Sequence, residues 1–177
     1  MTAERDEYGR LLGPGEVQFV RVLPGPIERV WAYLTESELR GKWLAAGPME
    51  LRAGGAFELL FDHKTLSAEP TPTKYQGDGS PHKLAGTVLR CEPPRLLSHT
   101  WYGSEISFEL FPEGADVRLV VTHRNLGDDP ATLAQVGGGW HSHLGILDDR
   151  LHERTPRLFW TTHAAAEQEY LRRIAQP

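Results

Sequence analysis

Towards the end of this 177-residue chain, Leu133, Val136, Trp140, Leu144, Leu147 and Leu151 recur at spacings of 3, 4, 4, 3 and 4, so one stripe of a long helix is apolar. Such a helix is stable only when that stripe is covered. The cover is written upstream, in a different period. Phe57, Leu59 and Phe61 alternate with Glu58, Leu60 and Asp62, and segments 86–91, 96–102 and 105–111 follow, separated by Glu92-Pro93-Pro94-Arg95 and by Gly103-Ser104. Those separations suit hairpins. A last strand over 116–125 sets Val117, Leu119, Val121 and His123 on one face, and a strand over 17–23 precedes all the others. Antiparallel strands followed by one long one-faced helix predict an α+β helix-grip fold, in which a curved antiparallel sheet wraps the C-terminal helix. A sheet and a helix cannot close completely on each other, so the expected binding site is a cavity between them.

Shorter signals fill in the rest. Pro24-Gly25-Pro26 stops the first strand, and Ile27, Val30, Trp31 and Leu34 then mark an amphipathic helix, with a second short helix over 36–43 carrying Leu39 and Trp43. Asp129-Pro130 caps the long helix. Inside it, Gly137-Gly138-Gly139 costs about 1 kcal/mol per glycine relative to alanine. Either another segment approaches the backbone there, or the helix begins only at Trp140. Residues 1–15 read as a lead-in arm with little order, 16–155 as one domain, and 156–177 as an extension whose short helix, 163–174, is anchored through Trp160 and Tyr170. Residues 62–83 carry Pro70, Pro72, Pro81, Gly77 and Gly79 without a period, and are expected to form a mobile flap that closes on a ligand through Leu66 and Tyr75.

The stretches 26–43 (PIERVWAYLTESELRGKW), Gly54-Gly55-Ala56-Phe57, Gly86-Thr87-Val88 with Glu92-Pro93-Pro94-Arg95, Thr100-Trp101, and 139–144 (GWHSHL) resemble the bacterial homologues of the heat-shock-protein-90 ATPase activator. That family lies in the START-like superfamily abbreviated SRPBCC, and the resemblance covers about residues 16–155. It implies the helix-grip fold and a cavity which in relatives takes lipids, hormones or polyketide-like molecules, some branches being cyclases or hydrolases. The eukaryotic co-chaperone has an additional N-terminal domain that carries much of its chaperone contact. Only fifteen residues precede the first strand here, so the family name is not itself evidence of chaperone activation.

Charge and residue types narrow the chemistry. Lys+Arg 19 against Asp+Glu 24 leaves a net charge of −5, which offers nucleic acid or anionic lipid no basic field. No apolar run approaches the roughly 20 residues needed to span a bilayer. The single cysteine, Cys91, reads as a small buried hydrophobe, and with no charged-then-apolar leader the expected location is the reduced cytoplasm. Eight histidines invite a metal or proton-transfer role. Strand parity turns His99 and His123 inward, His143 lies beside the helix stripe, and His63 continues the parity of Phe61. Yet there is no His-Glu-x-x-His pattern, and His141 and His143 are two apart, which on a helix sends their rings to different sides. No metal and no cofactor are expected. Gly-x-Ser-x-Gly and phosphate-loop patterns are likewise missing.

The cavity wall is expected from Trp31, Trp43, Phe57, Leu59, Phe61, His99, Trp101 and Phe108, together with His123, Trp140, His143, Leu144 and Leu147. The leading functional expectation is a binding protein for a small apolar or amphipathic ligand. Two others stand beside it: a hydrolase, cyclase or dehydratase with His123 and His143 as acid and base, and an interaction module that contacts a chaperone or a second copy as a homodimer.

Overall fold

The computed structural model describes residues 7–78 and 80–176, and the expectations for residues 1–6, Gly79 and Pro177 fall outside them. Seven strands form one open antiparallel sheet: β1 (Arg10–Gly13), β2 (Glu16–Pro24), β3 (Ala56–Phe61), β4 (His82–Glu92), β5 (Leu96–Trp101), β6 (Ser104–Glu113) and β7 (Asp116–Arg124). Their order across the sheet is β1-β2-β7-β6-β5-β4-β3, so the first long strand joins the last and the meander runs outward from there. Among the described residues there are four α-helices: α1 (Ile27–Thr35), α2 (Ser37–Arg40), α3 (Pro130–Leu151) and α4 (Phe159–Ile174). The sheet curves round α3 without closing, which is the helix-grip arrangement.

Alternation builds the grip. Val17, Phe19 and Leu23 of β2 and Val117, Leu119 and Val121 of β7 are all buried, and register pairs Phe19 with Val121. On the other side of this core lie Trp140, Leu144, Leu147 and Leu151 of α3, as the helical spacing requires. Full burial of each such side chain contributes about 1.5–3 kcal/mol.

Several expectations are corrected by tertiary contacts. Residues 10–13 of the supposed arm form an edge strand on β2, with Arg10 opposite Gln18. The last helix begins at Phe159 rather than 163 and packs along α3, with Phe159, Trp160, Ala166 and Tyr170 in the common core. This packing explains the glycines. A Cβ on Gly137 would lie 2.9 Å from the Tyr170 ring, and one on Gly138 would lie 3.2 Å from both the amide nitrogen of Glu167 and the carbonyl oxygen of His163. The helix therefore starts at Pro130, and α4 is the segment that approaches it. At Gly139 a Cβ would meet nothing within 4 Å.

Residues 62–83 are also held more firmly than a free flap. Two short 3₁₀ turns, His63–Thr65 and Thr73–Tyr75, lie within them, and Leu66 is a core residue rather than a ligand contact. Ser67 Oγ accepts the Phe159 amide (3.0 Å), and the Glu69 carboxylate accepts the amides of Trp160 (2.9 Å) and Thr161 (3.1 Å) and the Thr161 hydroxyl (2.6 Å). Those amides are otherwise orphaned at the start of α4, and a carboxylate there meets the positive end of the helix dipole.

One buried cation organises the segment between α2 and β3. Arg40 is 2% exposed and donates to the carbonyl oxygens of Thr35 (3.0 Å), Ala45 (3.0 Å) and Gly47 (2.5 Å). Burial pushes its pKa down to about 10. The fork of donors ties the end of α1 to the chain that crosses to β3, and thereby sets Trp43 and Leu44 in the core.

Candidate functional site

A cavity of about 1350 Å³ opens at one end of the grip. Its walls come from the end of β3, the segment 62–83, the β5–β6 turn, the end of β7, and the first turns of α3 and α4. At this end α3 contributes Thr132, Gln135, Val136 and Gly139, the glycine without a neighbour. The missing side chain at Gly139 leaves room that any other residue would fill.

Of the residues expected to line the cavity, Phe61, Trp101, His123 and His143 do so. Leu144 and Leu147 lie further along α3, where the sheet is packed solid against the helix. Phe57, Leu59 and Phe108 are buried in the same core, His99 lies between Phe57 (4.5 Å between centroids) and Trp101 (6.1 Å), and Trp31 is half-buried on α1. Trp43 and Trp140 stand just behind the wall and act on the histidines that form it. Strand parity tells which face a residue takes; it carries no information about where along the strand the packing opens.

The cavity gains walls that the sequence reading missed or left aside. Phe159, Trp160 and His163 come from α4, Tyr75 from the 62–83 segment, and Tyr102 from the β5–β6 turn. Tyr75 stacks on Trp160 with centroids 4.5 Å apart. His63 enters although β3 ends at Phe61, because the 3₁₀ turn carries its ring against Phe159 (4.8 Å) and Trp160 (5.0 Å). Tyr102, 62% exposed, has a φ of 54°, a left-handed conformation uncommon outside glycine, and its hydroxyl contacts Nε2 of His82 at the rim. For the α4 residues the sequence carried a local signal, the adjacent Phe159 and Trp160 with His163 close behind; for Tyr75 and Tyr102 it carried none.

The hydrogen bonds determine what the histidines can do. Trp140 donates its indole N–H to Nδ1 of His123 (3.0 Å), so the ring hydrogen of neutral His123 sits on Nε2. That Nε2–H points to Ser104 Oγ at 2.7 Å, and Ser104 in turn donates to the Trp101 carbonyl at 2.5 Å. A His–Ser pair at this distance suggests an activated nucleophile, but the direction of the protons is wrong: His123 has no lone pair facing Ser104 with which to take its hydrogen. Burial pushes His123 down to about 4, which keeps the ring neutral near pH 7.

His143 is oriented in the opposite sense. Its Nδ1 lies 2.7 Å from the carbonyl oxygen of Trp43, an atom that can only accept, so Nδ1 carries the hydrogen and Nε2 the lone pair. Its ring packs against Phe159 (4.7 Å) and His63 (5.6 Å). Burial first, and then the neighbouring His63, pushes His143 down to about 3; His63 falls to about 4 for the same leading reason. His163 is also lowered by burial, against the opposing pull of Glu167, whose Oε2 is 3.5 Å from its Nδ1. Among the described residues no group of three or more His, Cys, Asp or Glu side chains is placed to hold a metal ion. No helix among them is long and apolar enough to cross a membrane.

The comparisons with known proteins agree with this architecture. No curated protein matches the sequence. A protein from Bordetella parapertussis, solved by solution NMR, is 46% identical, with 95% of this chain and 91% of that chain covered and a TM-score of 0.81. CalU16 from Micromonospora echinospora shares the fold at 22% identity and a TM-score of 0.67, with 99% and 100% of the two chains covered. DynU16, a protein of the dynemicin biosynthetic locus, shares it at 20% identity and a TM-score of 0.64 over 81% of this chain and 49% of its own. Residues 24–152 match the sequence family described as activator of Hsp90 ATPase homolog 1-like protein. Running from the last residue of β2 to the end of α3, that match and the relative from Bordetella assign the chain to one family: it belongs to the activator of Hsp90 ATPase homolog 1-like proteins.

Proposed function

We propose that this protein binds a small amphipathic molecule in the cavity at the open end of the grip and performs no chemistry on it. The observation that carries the reading is the wall itself: about 1350 Å³ enclosed by Phe61, Trp101, Phe159 and Trp160, with neutral imidazoles and hydroxyls as its polar points. Small-molecule sites combine mostly apolar walls with a few placed polar groups in this way. The enzyme reading loses support at His123, whose hydrogen already lies towards Ser104. A reduced cytoplasm, the compartment expected from the lone Cys91, suits such a binder.

Gly139 provides the test. Its replacement by leucine starts a side chain from a Cβ that meets no atom within 4 Å, at a position that lines the cavity. A thermal-shift and native mass-spectrometry series with aromatic and amphipathic probes should give ligands that raise the melting temperature of the wild type and bind Gly139→Leu at least tenfold more weakly. Probes that bind both proteins equally occupy some other site and overturn the reading.

A further inference from the structure

We infer that the deep end of the cavity selects ligands bearing an uncharged O–H or N–H donor on a flat aromatic ring, with Nε2 of His143 as the accepting atom. This rests on the ligand-binding reading above. Trp43 is fully buried and fixed by its indole N–H on the Tyr33 carbonyl (2.8 Å). Trp43 fixes His143 in turn, because its carbonyl takes the Nδ1 hydrogen at 2.7 Å. A neutral imidazole so held has one bare lone pair, at Nε2, and its direction is set by the backbone rather than by the ligand.

No described residue donates to that lone pair, and Nε2 is not shut into the protein: it reaches the open volume that His143 lines. Around it stand Phe61, Trp140 and Phe159, and the imidazole of His63, 5.6 Å away, which also makes no hydrogen bond among the described residues. No lysine or arginine shares this end; Lys64 and Lys83 lie exposed at the mouth. The chemistry that fits is narrow. A carboxylate or phenolate would bring a negative charge against the lone pair in a desolvated site, with no cation to balance it. An apolar ligand would leave Nε2 dry and unpaired. A neutral phenol satisfies both conditions, and its ring takes the flat aromatic contacts that Phe159 and Trp160 present.

The test compares 2-naphthol, 2-methoxynaphthalene and 2-naphthoate by titration calorimetry at pH 7. Naphthol should bind about tenfold more tightly than its methyl ether, which has the same ring but no donor. Naphthoate should bind more weakly than either. In His143→Phe the ether should keep its affinity while the advantage of naphthol falls to about one. If that variant fails to fold, nitrogen NMR of the wild type serves instead: naphthol should shift the Nε2 resonance of His143, and the ether should leave it in place. Equal affinities for naphthol and ether, or a preference for naphthoate, overturn the assignment of His143 and leave the cavity a binding site. Failure of all three probes to bind overturns the inference of a flat aromatic ligand, and the wider probe series on Gly139→Leu decides the binding reading.

Discussion

The glycine triplet of α3 makes the contact between the two long helices measurable, because its three members meet different surroundings. Replacing any of them by alanine removes the helix penalty of glycine and so contributes about 1 kcal/mol of stability in isolation. At Gly139 nothing opposes that gain, since a Cβ there meets no atom within 4 Å. Gly139→Ala should raise the melting temperature by about 2–4 °C, the scale of 1 kcal/mol in a domain of this size. At Gly138 the Cβ lies 3.2 Å from a backbone nitrogen and a backbone oxygen of α4, neither of which can rotate away. Forcing packed elements apart costs about 1–3 kcal/mol, so the net effect runs from neutral to a loss of about 2 kcal/mol. At Gly137 three Tyr170 ring atoms stand at 2.9–3.1 Å, and that ring is held by the bond from the Gly9 amide to its hydroxyl (2.6 Å). Gly137→Ala should therefore destabilise by a similar amount and also loosen the Gly9 amide in hydrogen exchange. Urea unfolding of the three variants reads the series directly. An increase in stability at Gly138 equal to that at Gly139 would refute the close crossing of α3 and α4.

Three other perturbations follow from the same contacts. Arg40→Met strips the buried carbonyls of Thr35, Ala45 and Gly47 of their donor and should cost about 3 kcal/mol or more in urea unfolding, with Arg40→Lys recovering only part, because one ammonium cannot reproduce the fork. Glu69→Ala removes the cap of α4 and should cost about 1 kcal/mol, seen as faster hydrogen exchange at the amides of Trp160 and Thr161; unchanged exchange there would dissociate the 62–83 segment from α4. His63, His99 and His123 sit at about 4 and His143 at about 3 when folded, against 6.5 in the free residue, so the unfolded chain takes up protons that the folded chain refuses. Their contribution is complete above pH 6.5 and is lost as the pH falls from there towards 4 and 3, with a slope of up to about 1.4 kcal/mol per pH unit for each histidine; a urea midpoint that stays level from pH 7 to 4.5 would contradict this.

Periodicity alone made the grip legible. Val117, Leu119, Val121 and His123 face inward because a strand has period two, and Trp140, Leu144, Leu147 and Leu151 do so because a helix has period 3.6; both sets are buried. Local pattern could not reveal partners far apart in the chain. Arg10 pairs with Gln18 through backbone groups that every residue carries, and Ser67 and Glu69 find the start of α4 some ninety residues later. The site suffered most from this. Parity placed Phe57 and His99 on the same inward faces as Phe61 and Trp101, and nothing in the alternation distinguishes the packed middle of a strand from its open end.

Part of the cavity wall lies outside the segment that the family match covers. The matched segment, 24–152, contains β3 to β7 and α3, and with them His123, His143 and the backbone of Trp43 that orients His143. It stops before α4, which supplies Phe159, Trp160 and His163 to the wall. That helix is secured at both ends by segments distant in the chain: Glu69 and Ser67 hold its first turn, and Tyr170 near its other end accepts the Gly9 amide. The aromatic side of the cavity thus lies outside the segment that matches the family and is fastened to it by polar contacts, while His143 lies inside that segment. At Gly137 and Gly138 α4 comes closer to α3 than a Cβ would allow, so those two glycines and the aromatic helix that follows depend on each other. Bulkier residues at Gly137 and Gly138 would keep α4 from seating where it does, and the wall that Phe159, Trp160 and His163 form would move with it.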